Sequence, residues 1–140
     1  MLRIVAVEHN QADTHLLKEA LAQALTDCTL TSFEDAESAA KYLWAAPFHD
    51  AQLIILDLKL PGRSGLELLR DLKTDEHLCK IPVIVLAGSD SPNDIRSAYA
   101  LHASCYILKR KSAAEHLQTL RTMFDFWSTT AALPWQETLD

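Results

Sequence analysis

Short runs of aliphatic residues recur along the chain, and each is followed by a stretch in which apolar residues return every three or four positions. Runs of this length, bounded by turn residues, predict strands buried on both faces. They are Leu2–Val7, Thr29–Phe33, Leu53–Asp57, Ile81–Leu86 and Cys105–Leu108. Pro82 has no amide hydrogen to donate, so we expect it at the very start of its strand.

The intervening stretches have the pattern of amphipathic helices. The first apolar stripe runs from Ala12 to Leu25, the second helix is expected to end at Pro47, and the last stripe contains Leu117, Leu120, Phe124 and Trp127. Capping residues precede the later helices, and they are Asp35, Ser64 with Glu67, Ser91 with Pro92, and Ser112 with Glu115.

Five strands alternating with five helices predict an α/β domain with a parallel sheet and helices on both faces. Because crossovers between parallel strands are right-handed, the leading topology is the flavodoxin-like, doubly wound sheet of order 2-1-3-4-5. This order places Glu8 and His9, after the first strand, beside Asp57, after the third. It also brings Ala87 and Lys109 to the same carboxyl edge.

Asp57 is the centre of the candidate chemistry, because ligands of open α/β sheets bind outside the carboxyl ends of the strands. Pro61, Gly62 and Gly65 then break the pattern before the next helix. Paired carboxylates at such an edge bind a hard cation such as Mg²⁺, and a carboxylate can also attack phosphorus to form an acyl phosphate. The plainer interpretation is an ion pair of Asp57 with Lys109 that only holds the edge together.

Composition narrows the range of functions. The 140 residues fit one domain with a real core, since 49% are hydrophobic. A net charge of −6 disfavours nucleic-acid binding, and no run is long enough for a membrane span or a signal peptide. The cysteines Cys28, Cys79 and Cys105 match neither a zinc pattern nor a disulfide framework. We therefore expect a cytoplasmic protein with buried, reduced cysteines.

Four stretches together resemble the receiver domain of two-component response regulators, over residues 2–127. They are Val7–Asp13, Leu56–Gly62, Pro82–Leu86 and Tyr106–Lys109. The resemblance implies that Asp57 accepts a phosphoryl group from a sensor histidine kinase and that Lys109 contacts this group. It also implies an Mg²⁺ site formed by Glu8, Asp57 and the main-chain carbonyl of Lys59, and a switch aromatic at Tyr106.

The chain departs from the family pattern at three positions. The second acidic position is His9, a poor Mg²⁺ ligand, so we expect weak metal binding. The switch hydroxyl after strand 4 is replaced by Ala87, which removes a hydrogen bond of about 1.5–3 kcal/mol unless Ser89 or a backbone amide substitutes for it. The usual proline after the lysine is Arg110, for which a cis bond would cost about 2.5–4 kcal/mol, so we expect trans.

These departures leave two interpretations open. In the first, the chain is a phosphorylated single-domain regulator with a depleted metal site. In the second, it is a pseudo-receiver that binds partners without phosphorylation. A haloacid dehalogenase-type phosphatase is disfavoured because the second aspartate of that motif would be Lys59, and flavin binding is disfavoured because Glu8–Gln11 is not a Ser/Thr-rich phosphate loop.

The end of the chain carries a narrower resemblance, to the single-domain regulators that serve bacterial phytochromes. It rests on Leu101–Tyr106 and Phe126–Pro134. We therefore expect a receiver domain over residues 1–127 and a tail over 128–140. The apolar tail, which includes Trp135, predicts a homodimer built on the fourth helix, fifth strand, fifth helix and tail. A tail folded back on its own domain is the alternative.

Overall fold

The computed structural model describes residues 1–25, 27–45 and 51–134. Its centre is a five-stranded parallel sheet of order β2-β1-β3-β4-β5, so the predicted doubly wound topology is confirmed. The strands are β1 (Leu2–Val7), β2 (Cys28–Phe33), β3 (Leu53–Leu56), β4 (Val83–Ala87) and β5 (Cys105–Leu108).

Five α-helices cover the two faces of the sheet. They are α1 (Gln11–Ala22), α2 (Ala36–Trp44), α3 (Gly65–Thr74), α4 (Pro92–Ala100) and α5 (Ala113–Asp125), with a 3₁₀ turn at Leu78–Lys80 and a π-helical turn at Phe126–Thr130. The predicted caps of α2, α3 and α5 are confirmed, since Asp35, Ser64 and Ser112 each accept a backbone N–H from three residues on.

Each central strand contributes to both hydrophobic cores, as a doubly covered sheet requires. In β3, Ile54 and Leu56 pack with α2, α3 and α4, whereas Leu53 and Ile55 pack with α1 and α5. All four of these side chains are at most 2% exposed. Their continuous apolar run, without alternation, is therefore explained by burial on both faces.

Some predicted boundaries are wrong by a few residues. The first helix ends at Ala22, and Leu25, expected on its buried stripe, is 77% exposed. The fourth strand starts at Val83 because Pro82 cannot donate to the ladder. The last helix continues into the π-helical turn, and Leu133 beyond it is buried in the core shared by α1 and α5. The expected stop at Pro47 lies outside the described residues.

Gly65 lets the start of α3 pack directly on the backbone that carries Asp57. A Cβ atom at residue 65 would lie 2.1 Å from the main-chain oxygen of Asp57 and 2.7 Å from the Cα of Leu58. The Gly65 N–H donates to the Leu58 carbonyl at 3.0 Å. The glycine that looked like a turn residue in the sequence is therefore required by close backbone contact, which fixes the loop around Asp57.

Gly65→Ala should lower the free energy of unfolding by about 2–3 kcal/mol, because the added methyl group meets backbone that cannot move aside. Gly88→Ala is the matched control, since a Cβ there has open space around it. Urea denaturation of both variants tests this. Equal stability of the two proteins would show that the loop adapts and that the contact does not constrain Asp57.

Candidate functional site

Three strand ends bring the acids and the lysine together. Val7 is paired with Leu56 and Ala87 with Leu108, so the residues that follow these strands share one edge. Backbone hydrogen bonds continue one step past the strands, from Asp57 N–H to the Val7 carbonyl at 3.0 Å and from Lys109 N–H to the Ala87 carbonyl at 2.9 Å. The ladder itself therefore positions Glu8, Asp57 and Lys109, as the strand-end rule predicts.

Lys109 is held by three carboxylates. Its ammonium nitrogen lies 2.7 Å from Oε1 of Glu8, 2.7 Å from Oδ2 of Asp13 and 2.7 Å from Oδ2 of Asp57. An ammonium group has three hydrogen-bond donors, so each proton has an acceptor. The predicted pairing of Lys109 with Asp57 is thus present, within a larger cluster than the sequence indicated.

Burial strengthens the electrostatics of this cluster. Glu8 is 4% exposed and Asp57 is 7% exposed. Burial raises the pKa of Glu8 to about 7; the hydrogen bond with Lys109 opposes the rise and the adjacent Asp57 adds to it. For Lys109, burial disfavours the ammonium, but the hydrogen bonds to Asp13, Asp57 and Glu8 outweigh it and raise the pKa. Lys109 is therefore charged at any physiological pH.

Asn10 ties the start of α1 to the cluster. Its N–H donates to Oε2 of Glu8 at 3.0 Å, and its side-chain oxygen accepts the N–H of Asp13 at 3.0 Å. One capping residue thus fixes both Glu8 and Asp13. We assigned no role to Asp13 from the sequence, although an acid in the first turn of the helix after the first strand could have indicated one.

Two of the residues proposed for the metal site lie outside the cluster of charges. His9 is exposed and takes no part in the hydrogen bonds of Lys109. The side chain of Lys59 is also exposed, and its backbone N–H donates to Oδ1 of Asp57 at 3.3 Å. Whether His9 or the carbonyl of Lys59 touches a metal stays a prediction.

The residues present suit a hard divalent cation. Mg²⁺ is commonly bound by one or two carboxylates and retains several waters. Glu8 and Asp57 are two buried carboxylates whose mutual repulsion is now relieved by the ammonium of Lys109. Within residues 1–25, 27–45 and 51–134, no three His, Cys, Asp or Glu side chains are arranged as a metal site. A metal here would therefore depend on main-chain and water ligands as well.

The residues near Ala87, where the switch hydroxyl is missing, form hydrogen bonds among themselves. Ala87 is buried, and the hydroxyl of Tyr106 donates to the carbonyl oxygen of Ser89 at 2.8 Å. The Ser89 hydroxyl donates to Oδ2 of Asp94 at 2.5 Å and accepts the N–H of Ser91. The Ser89 hydroxyl is thus already hydrogen-bonded, and whether it substitutes for a hydroxyl at residue 87 stays a prediction.

His116 compensates for the absent proline. The peptide bond after Lys109 is trans, as expected, since the described residues contain no cis bond. The Arg110 N–H, which a proline would lack, donates to Nδ1 of His116 at 3.3 Å. His116 is 2% exposed and its burial lowers its pKa, so the neutral imidazole is favoured. We assigned no role to His116 from the sequence, although its four-residue spacing from Leu120 could have indicated a buried position.

Comparison with known proteins gives a consistent result. A sequence model described as the response regulator receiver domain matches residues 4–121. The chain is 32% identical to the response regulator Rcp1 of Synechocystis sp. over 135 residues, covering 94% of this chain and 92% of that protein. It is 31% identical to the probable methanogenesis regulatory protein FilR2 of Methanothrix harundinacea, covering 89% and 82%.

Two solved structures share the whole fold. The phosphorylated cyanobacterial phytochrome response regulator RcpA aligns with a TM-score of 0.90 at 37% identity, covering 95% of this chain and 98% of that one. The Mn²⁺-bound form of Rcp1 aligns with a TM-score of 0.91 at 31% identity, covering 96% and 99%.

No helix in the described part of the chain is long and apolar enough to cross a membrane.

The raised pKa of Glu8 predicts an unusual pH dependence. Between pH 4.5 and about 7 the folded protein holds a proton on Glu8 that the unfolded chain releases, so this residue's contribution to stability is lost as pH rises through 7. Relative to Glu8→Gln, the parent should lose about 1–3 kcal/mol of unfolding free energy across this range. Urea titrations at several pH values, with chelator present, measure the difference.

The exposed Glu37→Gln variant is the control and should follow the parent at every pH. A difference between parent and Glu8→Gln that does not change from pH 5 to pH 8 would contradict the prediction.

Proposed function

The chain belongs to the response regulator receiver family, and from this we propose that it acts in two-component signalling by accepting a phosphoryl group on Asp57. The observation that carries the proposal is the placement of Asp57 at the carboxyl edge, with Oδ2 2.7 Å from the Lys109 ammonium. The donor is the phosphohistidine of a sensor histidine kinase. In the transfer, an Asp57 oxygen forms a bond to phosphorus while the phosphorus–nitrogen bond breaks, and the imidazole leaves and takes up a proton.

The side chains around Asp57 each have a part in this step. The Lys59 N–H donates to Oδ1 of Asp57 and holds the carboxylate in one orientation. Lys109 offsets the negative charge on the transferring phosphoryl oxygens, which requires that its ammonium turn from Oδ2 of Asp57 towards them. Because Lys109 remains protonated at all relevant pH values, this charge is always available.

We propose that the cofactor is Mg²⁺, held by Glu8, Asp57 and the main-chain carbonyl of Lys59. The bound cation would shield the charges of the carboxylate and the phosphoryl group as they approach each other. His9 supplies no carboxylate at the second acidic position, so binding should be weak. The Mn²⁺-bound form of the relative Rcp1 supports a divalent ion in this family.

The partner is a sensor histidine kinase, and the relatives suggest a bacterial phytochrome. RcpA is described as a phytochrome response regulator, and it resembles this chain over nearly its full length. The net charge of −6 and the lack of a basic patch argue against a nucleic-acid partner. A cytoplasmic location is consistent with this role.

A pseudo-receiver remains the second candidate, and three observations favour it. The ammonium of Lys109 already fills the space between Glu8 and Asp57, and Ala87 offers no hydroxyl to a phosphorylated Asp57. Tyr106 is also bound to the Ser89 carbonyl without any phosphoryl group. Such a protein would present a fixed surface to its partner.

Incubation with acetyl phosphate and Mg²⁺ should add one phosphoryl mass to the parent and none to Asp57→Asn, since only a carboxylate oxygen can form the acyl phosphate. Intact-mass spectrometry measures both, with the exposed Asp90→Asn as a control that labels like the parent. Labelling of Asp57→Asn would overturn the assignment of the acceptor. A parent that no donor or kinase labels would favour the pseudo-receiver.

We also propose a homodimer through α4, β5, α5 and the tail. Leu133 of the tail is already buried against its own domain, and Trp135 lies outside the described residues. All four residues of β5, the edge strand, are partly exposed, and Tyr99 of α4 and Phe126, directly after α5, are each 48% exposed. The Phe126 and Trp127 rings contact each other edge to face, with centroids 5.4 Å apart. Burying this surface against a second copy would remove aromatic area from water. Dimerisation should not need phosphorylation, because the switch hydroxyl is absent at Ala87.

Sedimentation of the unphosphorylated protein at micromolar concentration should show a dimer, and Phe126→Glu should give a monomer because it places a charge in the apolar contact. Tyr42→Glu is the matched control, since Tyr42 is an exposed aromatic residue of α2, which packs beside β2 at the opposite edge of the sheet, and this variant should remain dimeric. A parent that is monomeric at tens of micromolar would rule the dimer out.

A further inference from the structure

The site has only one acid, Glu8, at the two positions after β1 where the family has two, so its negative charge must come partly from elsewhere. Glu8 is buried, but the residue after it, His9, is exposed and brings no negative charge. The site nevertheless contains three carboxylates, because Asp13 reaches it from the first turn of α1. When all three carboxylates are ionised they carry a formal charge of −3, and the Lys109 ammonium brings the net charge of the cluster to −2.

Asp13 is firmly placed for such a role. Its N–H is bound by the Asn10 side chain, and Asn10 in turn donates its own N–H to Glu8, so α1 and the end of β1 form one unit. The Asp13 side chain is 23% exposed and that of Lys109 is 14% exposed. Their contact joins residues 96 positions apart, from the first helix to the end of the last strand.

Of the three carboxylates around Lys109, Asp13 is the one to which the proposed function gives no role in binding the metal or attacking phosphorus. In the proposed function, Glu8 and Asp57 must turn their oxygens to a divalent cation, and Asp57 must attack phosphorus. Lys109 would then lose two of its three acceptors, and without a third the ammonium would compete with the cation for those same oxygens. Like charges in a partly buried site repel strongly, so this competition would weaken metal binding.

We propose that Asp13 is a positioning residue that takes over the electrostatic role of the missing acid at position 9, by holding Lys109 so that Glu8 and Asp57 are available to the cation and the phosphoryl group. The proposal rests on the proposed function for its phosphoryl-transfer part, whereas its metal-binding part is tested separately. Asp13 acts through Lys109 and does not itself contact the reacting atoms.

The test is a double-mutant cycle between residues 9 and 13. The quantity measured is the dissociation constant of Mn²⁺, from calorimetric titration. Asp13→Asn keeps the size of the side chain and removes its charge, and it should weaken Mn²⁺ binding by about fivefold to tenfold. Asp13→Glu should recover most of the loss. The matched control is Glu19→Gln, an exposed acid of the same helix, which should bind within about twofold of the parent because solvent screens it.

The second arm of the cycle adds an acid at position 9. His9→Asp should improve Mn²⁺ binding more in the Asp13→Asn background than in the parent, because one acid then substitutes for the other. Equal effects of Asp13→Asn and Glu19→Gln would overturn the proposal, and so would an equal gain from His9→Asp in both backgrounds. Circular dichroism and urea titration of each variant check that it is folded.

Phosphorylation kinetics separate this proposal from the function itself. With both Mn²⁺ and acetyl phosphate saturating, Asp13→Asn should be phosphorylated more slowly than the parent, because Lys109 is less well held. The acetyl phosphate concentration that gives half the maximal rate should change little. A changed half-maximal concentration with an unchanged maximal rate would contradict positioning. If the parent itself is never labelled, the proposed function fails, and the Mn²⁺ cycle alone decides the role of Asp13.

Discussion

The protonated side chain of Lys109, surrounded by three carboxylates, is the interaction on which the rest of the functional edge depends. Glu8, Asp13 and Asp57 come from β1, α1 and β3, and each lies 2.7 Å from the same nitrogen. Without that ammonium the acids would repel each other in a site where they are mostly shielded from water. Removing one partner of a buried charge network is generally far more destabilising than the network is stabilising, so the four groups constrain one another. The positions of these side chains and their charges therefore depend on each other, and changing one charge should shift the others.

Each departure from the family pattern is matched by a contact elsewhere in the structure. The charge absent at His9 is present at Asp13, although it comes from a helix and not from the end of a strand. The N–H that Arg110 introduces is accepted by the buried His116. Beside Ala87, where the switch hydroxyl is absent, Tyr106 donates to the Ser89 carbonyl. The site is therefore rearranged, and it is less depleted than the motif positions alone indicate.

The strands, their order and the positions of Asp57 and Lys109 were predictable, because continuous apolar runs and strand-end residues are local signals. The role of Asp13 was not, since its contact with Lys109 crosses 96 positions and depends on the packing of α1 against α5. His116 was missed because a lone histidine is not a typical core residue, whereas its spacing from Leu120 and Phe124 places it on the buried face of α5. For Leu25 the error was in the other direction, because a residue predicted to be buried is exposed. The apolar periodicity continues to Leu25 in the sequence, but the helix ends at Ala22.

The most direct measurement is the nitrogen–proton NMR spectrum of the lysine ammonium groups in the metal-free protein at pH 8, above the pKa of about 7 at which Glu8 ionises. We predict one slowly exchanging resonance, assigned by Lys109→Met, with couplings through its hydrogen bonds to the carboxyl carbons of Glu8, Asp13 and Asp57. Exposed ammonium groups exchange too quickly with water to behave in this way. A Lys109 resonance indistinguishable from those of the surface lysines would show that the ammonium is not held by the three acids, and it would contradict the central claim.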